Sequence, residues 1–273
     1  MRVPLLLTIF CDVLGAETHF HHLSLNVTDP EAAIAFYTSR FAGERDGPDS
    51  IVTGGGKLLF RRVKQAPAAA IESAIWHFGW GAEDMPRAYS AQLEQGTVFD
   101  TPLTDISDLA RSPGFYYAYV KGPNGVLIEL NTANHHRFGH VHLLSADPIG
   151  AGLWWAKHFG VAWPSPGRTP SRDPRFYKGF QVAPSVSFVM DGVNVIIFPL
   201  EYLKGPKQLV PTRGRAVDHI GLRVDDLDAV LRRLRADGVK VLSRVKRERG
   251  EWTVLIEGPD RLAIQLVATK RSK

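Results

Sequence analysis

At 273 residues, with 44% hydrophobic and 22% charged residues, the chain has the composition of a folded protein of two ordinary domains or one large one. Its formal charge of +5 comes largely from residues 232–249 and from Lys270, Arg271 and Lys273, without interleaved aromatics, which speaks against a nucleic-acid surface. The single cysteine, Cys11, excludes a disulfide framework and a thiolate metal site, and no apolar run reaches the length of a membrane span.

Residues 1–17 stand apart as a leader. Arg2 is basic, residues 3–10 are apolar, and Gly15-Ala16 has the small side chains of a cleavage site, although Asp12 follows the apolar core closely. They predict export to a periplasmic or extracellular space; a first strand of a cytoplasmic protein is the alternative.

From residue 18 onward one pattern recurs four times: a short strand carrying a histidine, then a helix that ends at a glycine. The histidines are His22, His77, His140 and His219. They precede the first predicted helical positions, Pro30, Pro86, Pro148 and Leu227, by 8, 9, 8 and 8 residues. They precede the closing glycines, Gly43, Gly96, Gly160 and Gly238, by 21, 19, 20 and 19. Asp29, Asp84, Asp147 and Asp226 stand where a helix cap is needed, and glycine supplies the left-handed closing residue. Ile34, Tyr37 and Phe41 in the first helix, and Leu227, Val230, Leu231 and Leu234 in the fourth, have helical spacing.

Strand signals follow each helix: 51–53 and 57–63 in the first module, 185–190 and 193–198 in the third, 252–256 and 262–267 in the fourth. In the second, residues 117–131 read as strand, turn, strand, with Gly122-Pro123-Asn124-Gly125 as the turn. Glu129 sits in the closing strand between Ile128 and Leu130, where a carboxylate is costly unless a cation meets it. A unit of strand, helix and about three strands cannot close alone, so the modules must pair. The predicted fold class is α+β, with domains at 18–134 and 138–269, a linker at 135–137 holding the solvated His135 and His136, and a basic tail at 270–273.

A βαβββ module with histidine in its first strand and a Pro-x-Gly turn before an acidic residue in its last resembles the vicinal oxygen chelate superfamily. That superfamily includes glyoxalase I, bleomycin- and fosfomycin-resistance proteins and extradiol dioxygenases. The resemblance covers roughly residues 19–268, with four modules in register. It implies two half-barrel domains of glyoxalase/dioxygenase type, and metal ligands from the first and last strands of paired modules.

If the first module pairs with the second, the resemblance implies a metal site of His22, His77 and Glu129, with a second set of His140, His219 and Gln265 that the neutral Gln265 leaves empty or structural. If outer pairs with outer and inner with inner, the set becomes His77, Glu129 and His140. The aligned last-strand positions of the other modules are Phe60 and Ile197 or Phe198. Three ligands on one face suit Fe(II) or Mn(II), with Zn or Ni also accommodated. Tyr119, Arg111 and His142 are pocket candidates, and Trp76, Trp80, Phe115, Tyr116 and Tyr117 either line its mouth or pack as core.

The resemblance implies a divalent-metal enzyme with dioxygenase-like chemistry on a small oxygenated molecule. A metal-dependent lyase, isomerase or transferase, or a binding protein without catalysis, are the alternatives. Phe60 departs from the fourth, carboxylate ligand of glyoxalase I, and Ala110-Arg111-Ser112 from the histidine of the extradiol signature. The expected partner is a small-molecule substrate, without nucleic acid or membrane, in a homodimer or a monomer.

Overall fold

A computed structural model of the protein describes residues 18–69, 72–202 and 208–272. The leader expected over 1–17 lies outside the described residues. The first module runs β1 (Thr18–Val27), α1 (Pro30–Arg40), β2 (Glu44–Arg45), β3 (Ser50–Thr53) and β4 (Gly56–Arg62). The second holds β5 (Ile75–Ala82), α2 (Met85–Glu94), β6 (Phe99–Asp105), the one-turn α3 (Ser107–Ala110), β7 (Tyr116–Lys121) and β8 (Leu127–Thr132). The third holds β9 (Phe138–Ser145), α4 (Pro148–Phe159), a hairpin of β10 (Arg175–Tyr177) and β11 (Phe180–Ala183), β12 (Val186–Met190) and β13 (Val193–Pro199). The fourth holds β14 (Val217–Val224), α5 (Leu227–Ala236), β15 (Lys246–Glu248), β16 (Glu251–Glu257) and β17 (Ala263–Ala268).

The four aspartates cap as their spacing predicts. Asp29 accepts from the N–H groups of Glu31 and Ala32, Asp84 from Arg87, Asp147 from Gly150 and Asp226 from Ala229. Because α2 starts at Met85, one residue before Pro86, each of these helices begins 8 residues after its histidine. The turn before β8 carries Asn124 at φ 56°, and the turn before β17 carries Asp260 at φ 55°, so the second and fourth modules end in the same bend.

The sheets join the outer modules to each other and the inner modules to each other. One has eight strands in the order β15-β16-β17-β14-β1-β4-β3-β2, the other seven in the order β12-β13-β9-β5-β8-β7-β6. In each, two histidine strands run antiparallel at the centre, and each is flanked on its far side by the parallel last strand of its own module. The sheets are therefore not built from 18–134 and 138–269 taken separately. Each draws one module from either half of the chain.

The core lies where helices cover the sheets. Tyr37 of α1 stacks on Phe60 of the first sheet at 5.4 Å between ring centroids and on Trp80 of the second at 5.9 Å. Trp155 of α4 packs on Phe188 at 5.5 Å. Leu23, Leu25, Phe60, Phe78, Phe138 and Val141 are fully buried beneath them, each side chain contributing about 1.5–3 kcal/mol by leaving water. Among the described residues, no helix is long and apolar enough to cross a membrane.

Candidate metal centre

A strand turns alternate side chains to opposite faces. In β9 that alternation sends Val141 and Leu143 into the core and places His140 and His142 together on the other face. β5 lies antiparallel beside it, with Gly79 opposite His140 and His77 opposite His142. β8 lies parallel on the far side of β5, with Glu129 opposite Gly79. Three adjacent strands so bring His77, Glu129, His140 and His142 together, one ligand atom of each within 4.8 Å of the others, and all four side chains buried.

The three imidazoles converge on one carboxylate oxygen. Glu129 Oε2 lies 2.7 Å from His77 Nε2, 3.7 Å from His142 Nδ1 and 3.9 Å from His140 Nε2. The other oxygen, Oε1, accepts a 3.2 Å hydrogen bond from the Asn131 amide, two residues along the same strand face. Tyr119 stands opposite Glu129 on β7, its ring 5.0 Å from that of His77. Glycine is required at 79: an added Cβ would lie 2.3 Å from the Glu129 carbonyl oxygen and 2.4 Å from the His140 ring.

Burial sets the protonation. It pushes His77 down to about 3, and it outweighs the pull of Glu129 to hold His140 down at about 4. Burial, then the proximity of His77 and His140, keeps His142 well below the ordinary imidazole value. The rings are thus neutral at physiological pH and carry lone pairs. Burial, and then the charge of Glu129, raises the Tyr119 phenol well above its ordinary value, which makes it a hydrogen-bond donor and not a base.

A divalent cation fits this set. His140 Nε2 is buried without a hydrogen-bond partner among the described residues, a costly state for a polar atom. Three neutral nitrogens and one carboxylate oxygen form a donor set that Fe(II), Mn(II), Zn(II) or Ni(II) accepts. Aromatic rings crowd the same face. Phe198 lies 5.3 Å and Trp76 6.3 Å from His142, and Tyr202 lies 4.9 Å from Trp76.

The sheet pairing corrects the first ligand set drawn from the sequence. His77, Glu129 and His140 come together, but His22 lies in the eight-stranded sheet, where its Nε2 is 3.3 Å from that of His219. The second set is likewise divided, since His140 belongs to one sheet and His219 and Gln265 to the other. His142, expected only to line a pocket, stands among the ligand atoms. Its i, i+2 spacing from His140 was the signal, and the strand opposite decides its role.

Register also moves the aligned last-strand positions by one. Ile196 lies opposite His142, and Leu59 opposite Ser24, so Ile196 and Leu59 face the sites, while Phe60 and Ile197 are buried in the core. Arg111 sits exposed at the end of α3 in a left-handed conformation (φ 55°), with no hydrogen bond or ion pair to the cluster. Of the expected mouth aromatics, Trp76 reaches the cluster, whereas Trp80 is core, stacked on Tyr37.

With this arrangement in view, the sequence comparisons converge on one family. A family model described as the glyoxalase/bleomycin resistance protein/dioxygenase superfamily matches residues 19–130, and a second model of the same superfamily matches 139–255. The chain belongs to this superfamily. Each match spans two consecutive modules, whereas each sheet takes one module from each match. The fold is similar to that of glyoxalase I from Zea mays, with a TM-score of 0.68, 14% identity and 93% of each chain covered. It is also similar to a putative dioxygenase from Bacillus subtilis, with a TM-score of 0.60, 13% identity, 93% of this chain and 86% of that one covered. At such identities the likeness establishes fold alone. No curated protein matches the sequence significantly.

Proposed function

We propose that the protein is a divalent-metal-dependent enzyme that takes a small molecule bearing neighbouring oxygens, with dioxygenase-like oxidation as its reaction. The observation that carries this is the buried convergence of three imidazoles on one carboxylate oxygen. His77, His140, His142 and Glu129 would hold the ion, and Asn131 fixes the rotation of the Glu129 carboxylate. The metal, Fe(II) or Mn(II) by preference, supplies Lewis acidity and, with Fe(II), access to O2 chemistry. Tyr119, kept protonated, holds its phenol against the Glu129 carboxylate. Trp76, Phe198 and Tyr202 provide flat apolar walls that exclude water and favour a planar substrate.

Proton chemistry weighs the choice of reaction. Isomerisation or elimination needs a base free to accept a proton. Here Glu129 is shared by His77 and Asn131, Tyr119 is held protonated, and Ile196 occupies the register position where a second carboxylate would face the site. Oxidation by O2 of a substrate that reaches the metal already ionised needs no second carboxylate at that position. Export of the chain is part of the same proposal only through residues 1–17 of the sequence.

The test is O2 uptake by Fe(II)- and Mn(II)-loaded protein over a panel of catechols and α-hydroxycarbonyls, alongside hemithioacetal isomerisation by the Zn(II) and Ni(II) forms. Uptake that disappears in Glu129→Gln supports the proposal. Isomerisation without uptake would replace it with a lyase or isomerase. Tight substrate binding with no turnover in any metal form would leave a binding protein.

A further inference from the structure

A large cavity, about 580 Å³, opens not on the four-ligand cluster but on the eight-stranded sheet. Its floor is the register twin of that cluster. Gly221 of β14 lies opposite His22 of β1, His219 opposite Ser24, and Gln265 of β17 opposite Gly221. Position for position, His219 stands where His77 does, His22 where His140 does, Gln265 where Glu129 does, and Ser24 where His142 does. Even the close approach is repeated, since a Cβ on Gly221 would lie 2.0 Å from the His22 ring.

Two of the four positions differ, and they reverse the chemistry of the floor. Glu129 is an anionic acceptor, whereas Gln265 is neutral and brings two N–H donors; the lone pair of His142 gives way to the hydroxyl of Ser24. The imidazoles here are also already partnered. His22 Nε2 meets His219 Nε2 at 3.3 Å, His22 Nδ1 meets His21 Nδ1 at 2.8 Å, and His219 Nδ1 donates to Asp218 at 2.6 Å. Neither His22 nor His219 has an orphaned buried nitrogen of the kind His140 has. Nothing on this floor calls for a cation.

The surrounding charge points the other way. Asp218, which also lines the cavity, is saturated by His219, by the Gly214 N–H at 2.7 Å, by Asn26 at 3.2 Å and by Arg213 at 3.2 Å. Each rim carboxylate has its own cation: Asp49 pairs with Arg249, Glu248 with Lys246 and Glu251 with Arg223. Glu248 also accepts one N–H of Gln265 at 3.2 Å, which leaves the second free. Arg61 and Arg62 also line the cavity; among the described residues neither forms an ion pair with a carboxylate, and Arg62 donates to the Thr28 carbonyl. The surplus is positive, and the groups offered are donors.

We propose that this cavity is a second ligand site that takes a small oxyanion, the carboxylate or phosphate of an organic molecule, in place of a metal ion. Ser24, the second amide N–H of Gln265 and Arg61 supply the hydrogen bonds, and the partnered His22–His219 pair forms the floor between them. The proposal stands apart from the metal centre and does not require it.

The test titrates the metal-loaded full chain with inorganic phosphate and with acetate, by calorimetry and, for phosphate, by ³¹P line broadening. Saturable binding of either anion at one per chain is expected, and which of the two binds names the source. Arg61→Gln should weaken it by about tenfold, the scale of one charge-assisted hydrogen bond. Gln265→Glu should weaken it at least as much, and with Ser24→His added should raise bound metal by one equivalent over the wild type. Glu129→Gln should leave the anion titration unchanged. Should the double variant fail to fold, Arg61→Gln alone decides. Absence of saturable binding by either anion, binding indifferent to Arg61→Gln, or a second metal equivalent in the wild type that His219→Ala removes would each overturn the proposal.

Discussion

Gly79→Ala tests the geometry of the metal centre without touching a ligand. The new methyl would lie 2.3 Å from the Glu129 carbonyl oxygen and 2.4 Å from Cε1 and Nε2 of His140. That is about 1 Å short of ordinary contact, so either β8 backs away from β5 or the His140 ring leaves its place. Overpacking of this kind costs about 1–3 kcal/mol. At about 2–4 °C per kcal/mol for a chain of this size, the midpoint of thermal unfolding should fall by about 2–12 °C. Displacing one ligand by an ångström should also weaken metal binding by about 10–100-fold. Gly221→Ala is the matched control, because its three closest contacts are all with the His22 ring in the other sheet. It should lower the midpoint too, yet leave metal affinity unchanged. Calorimetry and a competitive chelator titration read both quantities. Wild-type metal affinity in Gly79→Ala, or equal loss in both variants, would mean that the β5–β8 approach does not set the ligand geometry.

Acid should destabilise the metal-free protein in a defined window. His77 and His140 are held near 3 and 4 in the fold, against 6.5 as the ordinary value, so the unfolded chain binds more protons as pH falls. Their contribution is present above about pH 6.5 and is lost as pH drops towards 4, about 2 kcal/mol for each between pH 7 and 5. Urea unfolding of chelated protein at those two pH values measures it, and a flat result would contradict the burial of neutral imidazoles. His142→Ser, which copies the eight-stranded sheet at that position, should lower metal affinity by about 10–100-fold while the fold persists; unchanged affinity would remove His142 from the ligand set. Arg111→Ala should leave metal content unchanged and stability within about 0.5 kcal/mol, since the side chain is exposed and apart from the cluster.

Much of this architecture is legible along the chain because its signals are local. Asp29, Asp84, Asp147 and Asp226 cap the helices that follow them, and the Pro123-Asn124-Gly125 turn places Glu129 on a buried strand. Module pairing is not local. β1 joins β14 across almost two hundred residues, and the hydrophobic pattern of each module is the same whichever partner it takes. That ambiguity lets the sequence group His22 with His77, although its neighbour is His219. The role of His142 was hidden for the same reason: its place on the His140 face is readable, but the strand opposite is not. Phe60 shows the cost of a one-residue slip, since a period of two turns the neighbouring Leu59, and not Phe60, toward the cavity.

His77, Glu129, His140 and His142 should together hold one divalent metal ion. Elemental analysis of untagged protein, reconstituted in turn with Fe(II), Mn(II), Zn(II) and Ni(II), tests it most directly when run beside Glu129→Gln. About one equivalent in the wild type, lost in the variant while its thermal unfolding remains cooperative, is the predicted result. Reconstituted wild-type protein that retains no metal, or a variant that retains all of it, would contradict the claim.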